Sequence, residues 1–209
     1  RLRQSDLELV RNWRNKPHVR KNFLFQNTIS PNQQKQWFNT VDNIYNFYFV
    51  IIDERGKIGV VNLANCNYEK SFFEGGIFIG EEHALEKPSA ILSIHMINYF
   101  GFRLLQFNEV YGKVKLGNEA ALKLNAAFGL FPVKHLKDHH RTYGKRKEVL
   151  QKGENLERHF AKTLKLDVYE PMEVLLSRTE DEPALIKLLE EAYYKLSKVE
   201  QQYFRLEYY

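Results

Sequence analysis

The sequence contains very little sulfur and no long apolar run. Of its 209 residues, one is a cysteine, Cys66, and two are methionines. A single cysteine can form neither an intrachain disulfide nor a cysteine-based zinc site. A membrane-spanning helix needs about 18 consecutive apolar residues, and no run approaches that length. We therefore expect a soluble, cytoplasmic protein with no disulfide framework and no membrane segment.

Familiar catalytic and metal-binding motifs are also missing. The chain has no G-x-S-x-G, H-E-x-x-H, P-loop or G-x-G-x-x-G pattern. The seven histidines are scattered, apart from His139 and His140. Adjacent residues of a strand face opposite ways, so these two make a poor metal-binding pair. We therefore predict no metal site.

The charge is mildly basic and unevenly placed. Lys and Arg total 31 against 26 Asp and Glu, which gives a net charge of +5. Between Lys134 and Lys147, nine residues are Lys, Arg or His and one, Asp138, is acidic. Such a stripe is typical of a surface that binds phosphate groups, or simply of a solvated face. No RNA- or DNA-binding motif accompanies it, so we expect no nucleic-acid partner and favour another phosphate-bearing ligand.

Apolar residues make up 44% of the chain and aromatic residues 14%, enough for a substantial core. Ser5 and Glu8 form a capping-box pattern before a first helix, and the segment 30–33 (Ser-Pro-Asn-Gln) is a second helix start. The order of elements predicts an α+β fold. Strands are predicted at 47–53, 58–63, 72–80 and 109–116, helices at 89–104 and 118–128, the latter ended by Gly129, and a final hairpin with arms at 130–136 and 146–151.

The last part of the chain follows a different pattern. A helix start is predicted at Thr179 or Asp181 with Pro183 in the first turn. Apolar residues then follow a four-three spacing, which is typical of an oligomerisation helix and also fits a helix packed on its own domain. We predict a domain at 1–152 and a mainly helical extension at 153–209, and we leave open whether the helix forms a homo-oligomer. The spaced residues are Leu185, Leu189, Ala192, Leu196, Val199, Tyr203 and Leu206.

The middle of the chain resembles the GNAT superfamily of acetyl-CoA-dependent N-acetyltransferases. A glycine-containing strand with Glu74 leads through a loop into a long helix, and a later strand leads into Asn118-Glu119-Ala120-Ala121 and then Phe128-Gly129. In that superfamily the second pattern is N-x-x-A followed by G-F. The resemblance covers residues 2–152. It implies a mixed, mostly antiparallel sheet that is splayed in the middle and has helices on both faces.

The beginning of the chain resembles a narrower group, the enzymes that acetylate nucleotide-linked amino sugars, as in the pseudaminic-acid pathway. The matching residues are Trp13-Arg14-Asn15, Val19-Arg20, Ile29-Ser30 and Trp37-Phe38. An indole can stack on a sugar or a base, a guanidinium can bind phosphate, and an amide can bind hydroxyls. The resemblance therefore implies a nucleotide-sugar acceptor bound by Trp13, Arg14, Asn15, Arg20 and Trp37. Alternatively, Trp13 anchors the first helix to the sheet.

Two other functions stay open at this point. The same chemistry could acetylate the N-terminal amine of a protein, as ribosomal-protein acetyltransferases do. An enclosed, basic and aromatic pocket would favour a nucleotide sugar, whereas an open acidic groove would favour a peptide. The chain could also be a non-catalytic protein that binds CoA or serves in assembly.

The resemblance also assigns residues to acetyl-CoA. Backbone groups from Phe78 through Ile79 to Gly80 would hold the pantetheine arm. The family's pyrophosphate loop, Q/R-x-x-G-x-G/A, aligns with residues 85–90, where Pro88 removes one backbone N–H. The remaining contacts would come from the start of the long helix and from the asparagine helix. These residues are Lys87, Ser89, Ala90, Ile91, Asn118 and Ala121.

Catalytic roles follow from the same alignment. Glu74 matches the acidic residue that removes a proton from the amine; alternatively, it is a strand-edge carboxylate in a salt bridge. Asn125 stands where the family commonly has a tyrosine that protonates the leaving thiolate, and an amide cannot give up a proton. Either Tyr111 takes that role or the thiolate leaves unprotonated.

Overall fold

The computed structural model describes residues 1–164, 172–178 and 181–208. The elements are α1 (Leu7–Asn15), α2 (Pro17–Arg20), α3 (Pro31–Val41), β1 (Phe47–Asp53), β2 (Gly56–Asn67), β3 (Phe72–Ile79), α4 (Ser89–Tyr99), β4 (Glu109–Lys115), α5 (Glu119–Ala127), β5 (Phe131–His135), β6 (His139–Lys145), α6 (Arg146–Leu164), β7 (Met172–Leu176), α7 (Pro183–Lys195), α8 (Lys198–Gln201) and β8 (Phe204–Tyr208). A six-stranded mixed sheet with the strand order β1-β2-β3-β4-β6-β5 forms the centre, and a two-stranded sheet joins β7 and β8.

Local sequence signals set several of these boundaries. Ser30 caps α3: its hydroxyl accepts a hydrogen bond from the Gln33 N–H, and the Gln33 side chain accepts one from the Ser30 N–H. This capping box is confirmed. The one predicted at Ser5 is wrong, because a 3-10 turn at Gln4–Asp6 precedes α1 and the Asp6 carboxylate accepts the Arg3 N–H at 3.0 Å. Gly129, at φ +81°, ends the α5 segment as expected.

The central sheet is antiparallel except where β3 meets β4. These two strands run parallel and pair over only three residues, 72–74 with 109–111. Beyond that point the pairing stops, so the two strands part. The α+β fold with a mixed, mostly antiparallel, splayed sheet is therefore confirmed.

Two apolar clusters lie on opposite sides of the sheet. One joins α1 to β2 and includes Trp13 and Val60, and the other includes Val61 and packs against α4 and α6. Val60 and Val61 separate in this way because successive side chains of a strand face opposite ways. The sheet therefore has helices on both faces.

The predicted last hairpin is wrong in its second arm. The turn lies at 136–138, where the Leu136 N–H donates to the His139 carbonyl at 2.8 Å, so the returning strand is β6. Residues 146–151 instead begin α6, because Val149 and Leu150 are buried against the core. Helix α6 runs across the predicted domain boundary at 152/153. The division into two domains stays a prediction.

The predicted heptad helix in the tail is also wrong. Helix α7 ends at Lys195, Leu196 is extended, and Ser197 caps the separate helix α8. The chain then forms β8, which pairs in parallel with β7. Leu185, Leu189 and Leu196 are buried in the main core, so the tail packs on its own domain.

The start of that helix also differs from the prediction. Pro183 occupies the first turn as expected, but Glu182 is the cap position. Asp181 instead accepts the Ser177 N–H at 2.8 Å and pairs with Arg3 at 2.9 Å. Thr179 lies outside the described residues. None of the described helices is long and apolar enough to cross a membrane.

The buried tail gives a direct test of this correction. Leu189 is 4% exposed and Val199 is 65% exposed, although both belong to the predicted seam. Leu189→Ala should lower the free energy of unfolding by about 2–5 kcal/mol, because it leaves a cavity in the core. Val199→Ala should change it by less than about 0.5 kcal/mol. Denaturant unfolding measures both values, and similar losses from the two variants would favour an intermolecular seam.

Candidate active site

A cavity of about 840 Å³ lies where β3 and β4 part. Residues 75–79 of β3 and 112–115 of β4 form two of its walls. The other lining residues come from α1 to α5, from β1 and β2, and from loops that include the segment 22–29. Because backbone pairing between the two strands has ended there, the facing edges of both strands are open to a ligand. The cavity therefore reaches the interior of the sheet.

The cavity brings together about half of the residues that the sequence predicted for the site. Those that line it are Arg14, Trp37, Phe78, Ile79, Ala90, Asn118, Ala121 and Asn125. The remaining predicted residues do not line it: Trp13, Asn15, Arg20, Glu74, Gly80, Lys87, Ser89, Ile91 and Tyr111.

Arg14 is a partly buried cation on the cavity wall. Its guanidinium carbon lies 3.3 Å from the centroid of the Phe23 ring, and its Nε has no hydrogen-bond partner within the described part of the chain. Burial lowers the pKa of Arg14 to about 10, so the group is still charged at neutral pH. A buried donor without a partner costs about 1–3 kcal/mol. Arg14 is therefore poised to bind an acceptor atom of a ligand.

Trp13 has a structural position. Its side chain is 1% exposed, and its Nε1 donates to the Glu81 carboxylate at 2.6 Å. A Cβ on Gly80 would lie 2.2 Å from the indole, so only glycine allows this close packing. Trp13 therefore anchors α1 to the end of β3, which is the alternative interpretation of the sequence, and its ring has no free face for a sugar.

Asn15 and Arg20 hold the chain that forms one wall of the cavity. The Asn15 side chain accepts from the Ile29 N–H at 2.8 Å and donates to the Ile29 carbonyl at 2.9 Å. Arg20 donates to the Thr28 hydroxyl at 3.2 Å. Both residues thus fix the segment 22–29, whose aromatic side chains Phe23 and Phe25 face the cavity.

Glu74 lies on β3 beside the cavity, in a salt bridge. Its Oε2 is 2.8 Å from Nζ of Lys113 and accepts from Asn65 Nδ2 at 2.9 Å. Lys113 itself lines the cavity. Burial raises the pKa of the Tyr48 hydroxyl to about 12, and Arg14 lowers it while Glu74 raises it further. Both charges are thus within electrostatic reach of a tyrosine that lines the cavity.

The two residues considered for thiolate protonation are in different places. Asn125 lines the cavity, and its Nδ2 donates to the buried Thr142 hydroxyl at 3.0 Å. Tyr111 instead packs against Phe72 and donates to the Glu109 carboxylate at 3.1 Å. Burial, with that hydrogen bond, raises the pKa of Tyr111. The Tyr111 hydroxyl is thus directed to Glu109. That Tyr111 protonates the leaving thiolate stays a prediction.

On the donor side, the cavity reaches the beginning of α4. Ala90 lines it, and Pro88 precedes the helix. The backbone N–H groups of the first turn have no intrahelical acceptor, so they are available to an anion. Lys87 is directed elsewhere, to Asp53 at 3.4 Å and Glu54 at 3.0 Å. Asn118 caps α5 by accepting the Ala121 N–H at 3.2 Å, so its amide is partly committed to the fold.

Several lining residues were missed by the sequence analysis. They include the aromatic residues Phe23, Phe25 and Tyr48 and two side chains with unpartnered buried nitrogens, His18 at Nε2 and Gln34 at Nε2. For two of them, the sequence Phe23-Leu24-Phe25 was the available signal. The placement of Phe23 depends on long-range packing against β3, where its ring centroid lies 5.6 Å from that of Phe78, and no local pattern specifies this contact.

The charged side chains that line the cavity are all basic among the described residues. Arg14, Lys113 and Lys115 line it, and none of the described lining residues is Asp or Glu. The unpartnered nitrogens of Arg14 and Gln34 are hydrogen-bond donors. The cavity is therefore complementary to a ligand rich in acceptor atoms or negative charge.

The fold and sequence have clear relatives. A family model described as acetyltransferase (GNAT) domain matches residues 1–130. No protein of curated function matches the chain in sequence. The spermidine N-acetyltransferase of Vibrio cholerae, in complex with CoA and spermine, is similar at a TM-score of 0.65 and 22% identity, over 71% of this chain and 95% of that one. A domain from Methanocaldococcus jannaschii DSM 2661 has a TM-score of 0.62 and 20% identity, over 69% and 94%.

The structural similarity at these identities establishes the fold alone, and the family model establishes the family. Its match spans well over half of the chain and includes α1, β3 and the parting of β3 from β4. The chain therefore belongs to the GNAT family and is an acetyl-CoA-dependent N-acetyltransferase.

Proposed function

We propose that this acetyltransferase transfers the acetyl group of acetyl-CoA to the primary amine of a nucleotide-linked amino sugar. The observation that carries the proposal is the charge of the cavity, where Arg14, Lys113 and Lys115 are present and no described lining residue is Asp or Glu. A nucleotide sugar is an anion with flat and hydroxylated parts. The aromatic and donor-rich lining suits each of these features.

A polyamine or a peptide amine fits this lining less well. Spermine, which is bound in the Vibrio cholerae structure, is a polycation, and its additional ammonium groups need carboxylates or aromatic faces as partners. Lys113 is paired with Glu74, but Arg14 and Lys115 on the wall form no salt bridge within the described residues and would repel it. A peptide would be favoured by an open acidic groove, and the described lining residues include no Asp or Glu that could form one.

Of the Trp13-Arg14-Asn15 triplet, Arg14 is the residue that we assign to the acceptor. The Trp13 side chain is buried and bonded to Glu81, and the Asn15 amide makes two hydrogen bonds to Ile29. Neither side chain is therefore free to bind the acceptor. Arg14 offers guanidinium N–H groups inside the cavity, close to the rings of Phe23 and Phe78. We propose that it donates to an oxygen of the acceptor while a ring of the acceptor packs on the aromatic wall.

The donor side fits CoA through backbone groups. The open edge of β3 from Gly75 onward can pair with the amides of the pantetheine arm, and the first-turn N–H groups of α4 can bind phosphate. Pro88 removes one such group without blocking the others. When bound, acetyl-CoA supplies the acetyl group as a thioester.

The amine must be neutral to attack, so a base has to take its proton. We propose Glu74, which contacts the lining residue Lys113 at 2.8 Å. The contact with Lys113 holds the carboxylate beside a residue that lines the cavity. Asn125 can orient or hydrogen-bond at the thioester side, but it cannot supply a proton.

Donor binding at α4 is tested by a pair of variants that differ in charge alone. Ala90→Glu should weaken acetyl-CoA binding about tenfold relative to Ala90→Gln, because a carboxylate in the first turn repels phosphate. The difference in acetyl-CoA affinity between the two variants should become smaller at high salt, because salt screens the repulsion. Neither variant should lower the melting temperature, since an acidic residue is favourable at a helix start. Titration calorimetry measures the affinities, and equal values for the two variants would place the phosphates elsewhere.

The acceptor is tested by measuring CoA release with a panel of UDP-linked 4-amino sugars, with spermidine and with a peptide bearing a free N-terminus. We expect turnover with a nucleotide sugar. Arg14→Ala should raise its KM about tenfold or more, the effect of losing one charge-assisted hydrogen bond, and leave the KM for acetyl-CoA unchanged.

Trp13→Phe is the matched control from the same helix. It should lower the melting temperature because the bond to Glu81 is lost, while the KM for the sugar nucleotide stays within about twofold of the wild-type value. Turnover with spermidine alone would refute the amino-sugar proposal. Equal shifts of both KM values and of the melting temperature in Arg14→Ala would assign Arg14 to the fold.

The role of Glu74 is tested by Glu74→Gln, which keeps the shape of the side chain. As the base, Glu74 should contribute roughly 100-fold to kcat, and acetyl-CoA affinity should be nearly intact. Glu119→Gln, which removes an exposed carboxylate in the first turn of α5, should leave kcat unchanged. A pH–rate profile that is the same in Glu74→Gln and in the wild type would remove Glu74 from the mechanism.

A further inference from the structure

Three cations lie side by side across the end of the central sheet. In the register of the sheet Lys113 of β4 is opposite Arg141 of β6, and Arg141 is opposite Lys134 of β5. Directly opposite residues share a face, and like charges in such pairs are destabilising. We call these three residues the cation row.

The row shares a face with the open side of the cavity. The Arg141 guanidinium lies 4.4 Å from the centroid of the Tyr111 ring, which places it on the Tyr111 face of β4. Lys113, two residues beyond Tyr111, points to the same face and lines the cavity. The row therefore leads from the cavity outward across β6 to β5.

Only one member of the row, Lys113, forms a salt bridge among the described residues. Glu74 pairs with Lys113, but Arg141 Nε is buried and has no hydrogen-bond partner in the described part of the chain. The other nearby carboxylate, Glu109, accepts from the hydroxyls of Tyr143 at 2.9 Å and Tyr111 at 3.1 Å. A half-buried guanidinium with an unused donor is a strong site for a planar or tetrahedral anion.

Protection of a sheet edge accounts for only part of this arrangement. A lysine on an exposed edge strand discourages pairing with another chain, which fits Lys134 on β5. Arg141 lies one strand further in, where both neighbours of its strand are already paired. Its unpartnered Nε therefore needs another explanation.

We propose that the cation row binds the phosphate groups of a nucleoside-diphosphate acceptor, with Arg141 as the central contact. This inference rests on the proposed function, because it assigns one part of that acceptor to a site next to the cavity. Lys113 links the two, since it contacts both the proposed base Glu74 and the cavity. Two of the three residues, Lys134 and Arg141, belong to the basic stripe at 134–147, so the proposal gives part of that stripe a function.

The test is titration calorimetry with UDP and with uridine, at physiological salt and with saturating CoA present. Arg141→Gln should weaken UDP binding tenfold or more, as expected for a charge-assisted hydrogen bond, and leave uridine binding unchanged. Lys134→Gln, on the exposed edge strand, should weaken UDP binding about threefold, a weak surface contribution. It provides a second variant should Arg141→Gln fail to fold.

Lys137→Gln is the matched control, since it removes one exposed charge of the same basic stripe at the turn between β5 and β6. It should leave UDP affinity unchanged. Equal losses in all three variants would overturn the inference in favour of diffuse attraction to polyanions such as nucleic acid. UDP binding that is seen without CoA and lost at saturating CoA would overturn it in favour of the phosphates of the donor.

The two proposals fail in different ways. If a UDP-linked amino sugar is acetylated but Arg141→Gln leaves its KM unchanged, the cation row is refuted and the proposed function stands. If UDP binds, and binds more weakly to Arg141→Gln as expected, but no nucleotide sugar is acetylated, the phosphate site is supported and the amino-sugar acceptor is refuted.

Discussion

The pairing of β3 with β4 over only three residues is the constraint on which the rest of the molecule depends. A parallel pair that continued to the ends of both strands would close the sheet and leave no space for a ligand. Because the pairing stops after Glu74 and Tyr111, the backbone edges of both strands are free and a cavity of about 840 Å³ opens between them. The helices α4 and α5 begin at the open end, where Ala90, Asn118 and Ala121 line the cavity.

The second feature that links fold to function is a pair of partly buried arginines that form no salt bridge within the described part of the chain. Arg14 is held in the wall by the rings of Phe23 and Phe78, and Arg141 by the ring of Tyr111. Aromatic faces stabilise a guanidinium while leaving its N–H groups free in the plane. Both arginines have an Nε without a hydrogen-bond partner among the described residues. A ligand with anionic oxygens would relieve that cost, whereas a polycation would add to it.

The segment 22–29 and the tail show how parts far from the reacting groups support the site. Asn15 secures the segment through two hydrogen bonds to Ile29, so Phe23 and Phe25 are held over the cavity. On the opposite face, Leu185, Leu189 and Leu196 complete the core behind α4. The tail therefore stabilises the face of the sheet opposite α1.

Local sequence signals determined much of this protein: the capping box at Ser30, the strand 47–53, the glycine after α5 and the Asn118 helix start are all present as the residues dictate. They depend on bonds and spacings within a few residues, which a sequence displays directly. Tertiary structure alone decided the rest. Trp13 became an anchor because Gly80 leaves room for its ring, residues 146–151 became helix because Val149 and Leu150 meet the core, and the heptad spacing of the tail was divided between a helix and a strand. The cavity's charge also depends on which strands become neighbours, because Lys113, Arg141 and Lys134 meet only through sheet register. Such contacts join residues far apart in the chain, and their free energy comes from packing that no local pattern encodes.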